Sequence, residues 1–364
     1  MSTFGREADE LWRAQRLRLV QTNGQAREES FTLTCLADVA MVAIDWIWEG
    51  YLARGKLALL GGDPDMGKSV ITIDMAARLS KGLRWPPHKA LARTGSTIFI
   101  CSEDSTTDTV APRAEAAGAD LTKLHVFKSA LLKNGKRKTF SLQDDLELLG
   151  EAIKRVGDVQ SIVVDAVTSY MGAIDSHKTA EVRAVLEPLA DFAERTRVGI
   201  LGVTHPPKQH QGNSLRSFAG SFAFVAAPRL AHIVVADPEN KQRKLLLPVK
   251  NNIGRKPLGL GYSIGCKMVG NHIEAPFIQW DDSPVDVTAD EALAASAAAA
   301  RGDSVENAEE FLRELLANGP VDSKAGEEAA KEAGISIRTL KRAKRNLDVV
   351  SKKEGFDGGW SWRL

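Results

Sequence analysis

Residues 57–69, LALLGGDPDMGKS, constrain the fold more than any other stretch of the chain. An apolar run enters a glycine-rich turn, and the amphipathic run SVITIDMAARLSKG leaves it. Strand, loop and helix in this order are the context in which G-x-x-x-x-G-K-[ST] binds nucleotide phosphates. The stretch therefore predicts an α/β fold with a phosphate-binding loop at the end of one strand.

Within such a loop, main-chain N–H groups and the helix N-terminus surround the phosphates. We expect Lys68 to neutralise the β- and γ-phosphates and Ser69 to supply an oxygen to Mg²⁺. ATP and Mg²⁺ are therefore the expected cofactors. The predicted nucleotide-binding residues are Gly62, Asp63, Pro64, Asp65, Met66, Gly67, Lys68, Ser69 and Val70.

Two aspartates lie inside this loop, where a polyanion would bind. Asp63 is expected to point into water, where screening weakens its repulsion. Asp65 occupies a position at which many such loops hold glycine in the left-handed conformation, which Asp tolerates better than most residues. We expect nucleotide binding to survive, with Asp65 as the residue able to lower its affinity.

Three further polar residues end apolar runs. Asp165 follows SIVV and is predicted to hold a magnesium-bound water, although an ordinary strand-ending turn remains the alternative. No Glu follows Asp165, so Glu103, at the end of TIFICSED, is the predicted base that activates water. His205, in GVTHPPK, is predicted to sense the γ-phosphate; a purely structural histidine is the alternative.

From residue 31 to 282, apolar runs alternate with helical stretches, which predicts a mainly parallel sheet covered on both faces. We expect residues 1–30 to form an N-terminal arm, 31–282 an ATPase domain, and the alanine-rich 283–304 a semi-rigid linker. Residues 305–364 predict three short helices and then a hairpin, the order of a winged helix-turn-helix.

Charge is balanced overall, with 48 Lys and Arg against 47 Asp and Glu, so the total does not indicate a partner. Residues 336–364 nevertheless contain eight basic and three acidic side chains. SIRTLKRAKRNL has the composition of a DNA-recognition helix, with Leu340, Ala343 and Leu347 facing the core. A protein-docking module with a solvated basic face is the alternative. The candidate DNA contacts are Arg338, Lys341, Arg342 and Arg345.

Neither a disulfide framework nor a metal site is suggested by the three widely spaced cysteines. The N-terminus lacks the apolar core of a signal peptide, and no uncharged apolar run reaches about 18 residues. We therefore expect a cytoplasmic protein with no membrane partner.

Six motifs follow one another between residue 45 and about residue 280: LLGGDPDMGKS, FICSEDS with Arg113 ten residues beyond Glu103, VVDAVTSYMGAIDSHKTAEVR, GVTHPPK, GSFAFVAAPRLAHIVVAD and VKNN. With these motifs the stretch resembles the RepA-type branch of RecA-fold ATPases, a group of hexameric replicative helicases and related proteins from plasmids, phages and other mobile elements. Asp65 departs from the glycine usual in that family. The resemblance implies a RecA-like P-loop core.

The same resemblance implies a homo-hexameric ring in which ATP is bound between subunits and an arginine of one subunit reaches the γ-phosphate of the next. Arg229 matches that finger best, with Lys250 and Arg255 as rivals. In such rings, the loops after the Asp165 and His205 strands face the central channel. Their candidate contacts with single-stranded DNA are Lys178, Lys208 and Arg216.

Together, these observations predict an ATP-hydrolysing, RepA-like helicase of DNA replication that acts on single-stranded DNA, with possible duplex binding through the tail. The alternative is a nucleotide-switched DNA-binding initiator or regulator that does not unwind DNA. A structural protein with an inactive nucleotide site is a third hypothesis, which rests on Asp65 alone.

Overall fold

The structure of the protein is a computed structural model. It describes residues 18–22, 25–29, 35–87, 90–102, 104–128, 130–131, 137–172, 174–176, 178–205, 223–240, 242–353 and 360–364. The chain divides into two units, residues 1–43 and residues 44–364.

The first unit contains an antiparallel hairpin of β1 (Arg18–Thr22) and β2 (Gln25–Glu29), in which Arg18 lies opposite Glu29. A short 3₁₀ helix, Leu36–Asp38, follows the hairpin. Residues 1–17 of the predicted N-terminal arm lie outside the described part of the chain.

The second unit contains most of the strands and all of the described α-helices. Its strands are β3 (Trp46–Trp48), β4 (Leu52–Ala53), β5 (Leu57–Gly62), β6 (Ser96–Cys101), β7 (Leu124–Val126), β8 (Ala130–Leu131), β9 (Arg137–Lys138), β10 (Val159–Asp165), β11 (Gly199–Val203), β12 (Leu230–Ala236), β13 (Lys244–Asn251), β14 (Gly259–Val269), β15 (Ile273–Val285), β16 (Val321–Asp322), β17 (Val350–Lys353) and β18 (Trp360–Arg363). Its helices are α1 (Lys68–Lys81), α2 (Ala111–Ala116), α3 (Leu146–Val156), α4 (Thr179–Thr196), α5 (Ala223–Ala226), α6 (Ala289–Leu316), α7 (Ser323–Glu332) and α8 (Ile337–Asn346).

Within the described residues, nine strands form one sheet in the order β15-β14-β13-β12-β5-β11-β10-β6-β7. The strands from β12 to β7 run parallel, whereas β13, β14 and β15 continue the sheet in antiparallel pairs. The prediction of a mainly parallel α/β sheet is confirmed. The long β14–β15 ribbon is an antiparallel addition that sequence analysis did not describe.

Strand β5 shows that both faces of this sheet are covered. Leu57 and Leu59 point into one apolar cluster, which includes side chains of α3 and α4. Ala58 and Leu60 point into a second cluster, which includes α1 and the aromatic residues that follow β3. A strand buried on both faces reads as a continuous apolar run, which is why LALLGG was recognisable as a central strand.

Helix α6 joins the main sheet to the C-terminal elements. It is a single helix of 28 residues that begins with a capping box between Thr288 and Glu291. Its first turn contributes Ala292 to the main core, and its last turns contribute Leu312 to the C-terminal core. Much of the predicted linker, residues 283–304, is therefore helical, since alanine has the highest intrinsic helix propensity.

The C-terminal elements form a small core of their own. Helices α6, α7 and α8 pack with an antiparallel three-stranded sheet in the order β16-β18-β17. Leu340 and Ala343 are buried there and Leu347 packs against them, as the sequence predicted. Sequence analysis missed β16, whose two residues give too short an apolar signal.

Within the described part of the chain, no helix combines the length and the apolar character needed to cross a bilayer.

Two tryptophans on β18 provide a matched test of the C-terminal core. Trp362 is 3% exposed and Trp360 is 53% exposed. Because truncation of a buried aromatic leaves a cavity, we expect Trp362→Ala to destabilise the C-terminal elements by about 3–5 kcal/mol. Trp360→Ala should cost less than about 1 kcal/mol. Hydrogen exchange of α7 and α8 measures both changes, and equal protection in the two variants would contradict the packing described.

Candidate functional site

Four neighbouring strands end at one edge of the sheet. Strands β5, β11, β10 and β6 are adjacent and parallel, so their carboxyl ends meet. Val203 pairs with Leu60, and Asp165 pairs with Cys101. In open α/β sheets, ligands bind in the crevice outside the carboxyl ends of the strands. The loop after β5, Asp165 and His205 therefore lie along the edge where a ligand is expected.

The loop between β5 and α1 depends on left-handed backbone at its turns. Gly62 has φ 147°, Asp65 has φ 62° and Gly67 has φ 79°. A Cβ on Gly62 would lie 2.4 Å from Val234 Cγ2, so β12 approaches the loop too closely for any side chain there. The prediction that Asp65 adopts the left-handed conformation is confirmed, and its side chain is exposed.

Lys68 and Ser69 begin helix α1, and their side chains have different partners. The buried Lys68 Nζ donates to the carbonyls of Gly62 and Asp63, each at 2.7 Å. The Ser69 hydroxyl donates to Asp165 Oδ2 at 2.6 Å, across 96 residues of sequence. The predicted serine and carboxylate of a metal site are therefore in direct contact.

Mg²⁺ prefers hydroxyl, carboxylate and water oxygens, and the residues at this edge fit that preference. Ser69 and Asp165 are the residues that would hold the ion. Burial, followed by the nearby carboxylates of Asp165 and Asp104, raises the pKa of Cys101 to about 11, so two carboxylates lie close to this edge. A divalent cation would offset this local charge.

Glu103, the predicted base, lies outside the described residues, but its neighbours are placed. Asp104 accepts an ion-pair hydrogen bond from Arg113 at 2.9 Å. The cap of the following helical turn is Ser105, whose side chain accepts from the Thr107 N–H. Asp104 is therefore connected to α2 through Arg113.

Strand β11 ends with two polar residues at the same edge. The Thr204 N–H donates to the Leu60 carbonyl at 2.9 Å, and His205 follows, half-buried. The Thr204 hydroxyl is buried, and no described residue forms a hydrogen bond with it. Sequence analysis passed over Thr204, although a hydroxyl residue directly before the predicted sensor was the available signal.

The candidates for the trans-acting residue, Arg229 among them, lie near the opposite ends of the strands from the phosphate loop. The Arg229 N–H donates to the Leu57 carbonyl at 3.1 Å, at the start of β5. The phosphate loop begins five residues further along that strand, roughly 16 Å away at the usual rise per residue. Arg229 is exposed and lines a cleft of ≈ 320 Å³. Arg229 is therefore not placed beside the chain's own loop.

Lys250 and Arg255 differ in how their side chains are engaged. Lys250 Nζ donates to three backbone carbonyls, those of Val225 at 2.7 Å, Ala226 at 3.0 Å and Pro228 at 2.8 Å. Burial and the nearby Arg229 lower its pKa. Lys250 thus closes the end of α5, whereas Arg255 is exposed.

The candidate DNA contacts are dispersed. Lys178 is exposed and forms an ion pair with Glu181 at 2.9 Å. Lys208 and Arg216 lie outside the described residues. Lys341, Arg342 and Arg345 are exposed on α8, the helix that also contains Arg338.

The remaining lysine of α8, Lys344, is engaged with the C-terminal core. Its Nζ lies 3.8 Å from the centre of the Trp362 ring. This cation–π contact stabilises the charge beside a buried aromatic side chain. Lys344 therefore belongs to the packing of the C-terminal elements, in contrast to the exposed basic residues of the same helix.

The fold and this edge define the class of the protein: an α/β protein with a phosphate-binding loop whose serine contacts a strand-end aspartate. Residues 30–211 match the family described as AAA domain, and the chain belongs to this family.

Curated relatives include DNA repair protein RadA of Chlamydia pneumoniae, 24% identical over 58% of this chain and 40% of the relative. RadA of Bacillus subtilis is 26% identical over 56% of this chain and 38% of its own length. The chain thus spans about two-fifths of these relatives. Among solved structures, one described as an ATPase domain aligns with 58% of this chain and 82% of its own, at 11% identity and a TM-score of 0.44.

The loop geometry yields a test of Asp65. Replacing Asp65 by Gly removes both a like charge near the phosphates and a strained backbone, whereas Asp65→Asn removes only the charge. We expect Gly to tighten the binding of Mg-ADP about fivefold and Asn about twofold, as measured by isothermal titration calorimetry. Unchanged or weaker binding in Asp65→Gly would show that Asp65 does not lower the affinity for Mg-ADP.

Proposed function

We propose that the protein is a magnesium-dependent ATPase that acts on DNA. The observation that carries this proposal is the 2.6 Å contact between Ser69 Oγ and Asp165 Oδ2, beside the buried Lys68. Residues this distant in sequence meet at the edge of a parallel sheet in an arrangement suited to a metal-bound nucleotide. Membership of the AAA domain family supports the same conclusion.

In the proposed mechanism, loop N–H groups and the α1 N-terminus bind the phosphates. Lys68 exchanges its two loop carbonyls for β- and γ-phosphate oxygens. Ser69 and Asp165 would hold Mg²⁺, and the ion would neutralise phosphate charge when bound. Glu103 accepts the proton of the attacking water as the bond between the γ-phosphorus and the bridging oxygen breaks, giving ADP and phosphate. His205 contacts the γ-phosphate and reports its loss.

We further propose that the chain assembles as a homo-hexameric ring in which Arg229 reaches the nucleotide of the next subunit. Arg229 is exposed and remote from its own loop, so a second subunit is needed to bring it to a γ-phosphate. Lys250 is the weaker candidate because three carbonyls already engage its ammonium group. Arg255 remains the rival.

The proposed substrate of the ring is single-stranded DNA, contacted by Lys178, Lys208 and Arg216. The C-terminal elements would act as a winged helix and bind duplex DNA through Arg338, Lys341, Arg342 and Arg345. Support comes from the exposed basic face of α8 and from relatives named as DNA repair proteins. The specific role proposed is that of a RepA-like replication helicase of a mobile element.

A second candidate is a nucleotide-switched DNA-binding initiator or regulator. Helix α6 favours it, because one continuous helix packs on the nucleotide-binding sheet at its start and on the basic C-terminal elements at its end. Such a helix can transmit a change at the loop to a DNA-binding surface without any unwinding activity.

ATP hydrolysis with Mg²⁺, measured with and without single-stranded DNA, tests the proposal. We expect the strand to stimulate hydrolysis about tenfold or more, and Lys68→Ala and Glu103→Gln to lower the rate by at least about a hundredfold. Lys81→Ala removes an exposed lysine from the other end of α1 and should leave the rate unchanged.

Other outcomes separate the hypotheses. Slow hydrolysis indifferent to single strands, together with duplex binding that is lost in an Arg342→Glu variant, would favour the regulator. A chain that binds no nucleotide at millimolar Mg-ATP would overturn both the ATPase and the switch.

A further inference from the structure

A tyrosine of the antiparallel β14–β15 ribbon contacts the backbone of the phosphate loop. Tyr262, on β14, is fully buried, and its hydroxyl lies 2.5 Å from the Met66 carbonyl oxygen, 196 residues away in sequence. Burial raises the pKa of Tyr262, so the phenol stays protonated. A carbonyl can only accept, and the tyrosine therefore donates this hydrogen bond.

The position of Met66 gives that hydrogen bond a consequence for the loop. Met66 precedes Gly67, and the planar trans peptide between them points its C=O and N–H in opposite directions. With the carbonyl held toward Tyr262, the Gly67 N–H points away from β14. None of the described residues accepts a hydrogen bond from this N–H, so it is available to an anion. Tyr262 thereby sets the direction of a main-chain donor in the predicted phosphate site.

Two further contacts hold the same region against the ribbon. A Cβ on Gly67 would lie 2.7 Å from Ile264 Cδ1, so Ile264 packs directly on the glycine. Trp280, on β15, is the cross-strand partner of Tyr262 and its indole N–H donates to Asp74 Oδ2 on α1 at 2.8 Å. The ribbon therefore contacts both the loop and the helix that follows it.

We propose that Tyr262 is a positioning residue for the phosphate loop: its hydroxyl fixes the Met66–Gly67 peptide so that the Gly67 N–H faces the nucleotide phosphates. Ile264 and Trp280 keep the ribbon in register with the loop and with α1. The inference rests on the proposed binding of ATP. It assigns a role in nucleotide affinity to a strand outside the parallel part of the sheet.

The test compares Tyr262→Phe with a matched control in the full-length chain. Tyr51 is also buried, and its hydroxyl donates to the Leu258 carbonyl at the same distance of 2.5 Å, away from the loop. Each change to Phe removes one buried hydroxyl and one hydrogen bond to a carbonyl, so similar losses of thermal stability are expected. The readout is the affinity for fluorescent N-methylanthraniloyl-ADP with Mg²⁺. If the role of Tyr262 were purely structural, the two variants would have the same affinity.

We expect Tyr262→Phe to weaken this affinity about three- to tenfold and Tyr51→Phe to change it less than twofold. If Tyr262→Phe does not fold, Ile264→Ala takes its place in the same comparison. If Tyr262→Phe and the wild-type chain bind with equal affinity, or if Tyr51→Phe weakens binding as much as Tyr262→Phe does, the inference is overturned while the proposed function stands. A wild-type chain that binds no ADP would instead overturn the proposed function, and the inference with it.

Discussion

The hydrogen bond between Ser69 and Asp165 depends on the arrangement of three strands. Ser69 follows β5 and Asp165 ends β10, with β11 between them, so the two residues meet only if all three strands end at one level. Strand β11 carries Gly202 one residue before its end, where a Cβ would lie 2.5 Å from Val167 Cγ2 and 2.7 Å from Leu59 Cδ2. Close packing on both sides of this glycine keeps the neighbouring strand ends together.

Two strands of the sheet pack on the glycines of the phosphate loop. Val234 of β12 packs on Gly62, and Ile264 of β14 packs on Gly67, so the two glycines at its ends are fixed by different parts of the sheet. Backbone donors at a phosphate site are effective when they are held in place before the ligand arrives. The antiparallel strands thus contribute to the site without supplying any residue of the phosphate-loop sequence.

Local patterns predicted the central strands and assigned Ser69 and Asp165 to one metal site, because buried parallel strands and phosphate loops have strong signals along the chain. Their direct contact is a finding of the structure. Tyr262 was missed because its importance arises from a partner distant in sequence. Thr204 was passed over although it directly precedes the predicted sensor, and its buried hydroxyl is recognisable only in the structure. Much of the predicted linker belongs to the continuous helix α6, whose first turn contributes to the main core and whose last turns contribute to the C-terminal core. The proposed trans-acting residue would act on a second subunit, so its identity is a matter of assembly and not of the pattern of one chain.

The central claim is that Ser69 and Asp165 form one metal site with a bound nucleotide. Electron paramagnetic resonance of Mn²⁺, titrated into the chain with ADP present, measures that site directly. We predict that Asp165→Asn weakens Mn²⁺ binding at least about tenfold, while Asp104→Asn, which alters a carboxylate paired with Arg113, changes it less than about twofold. Unchanged Mn²⁺ affinity in Asp165→Asn would contradict the account.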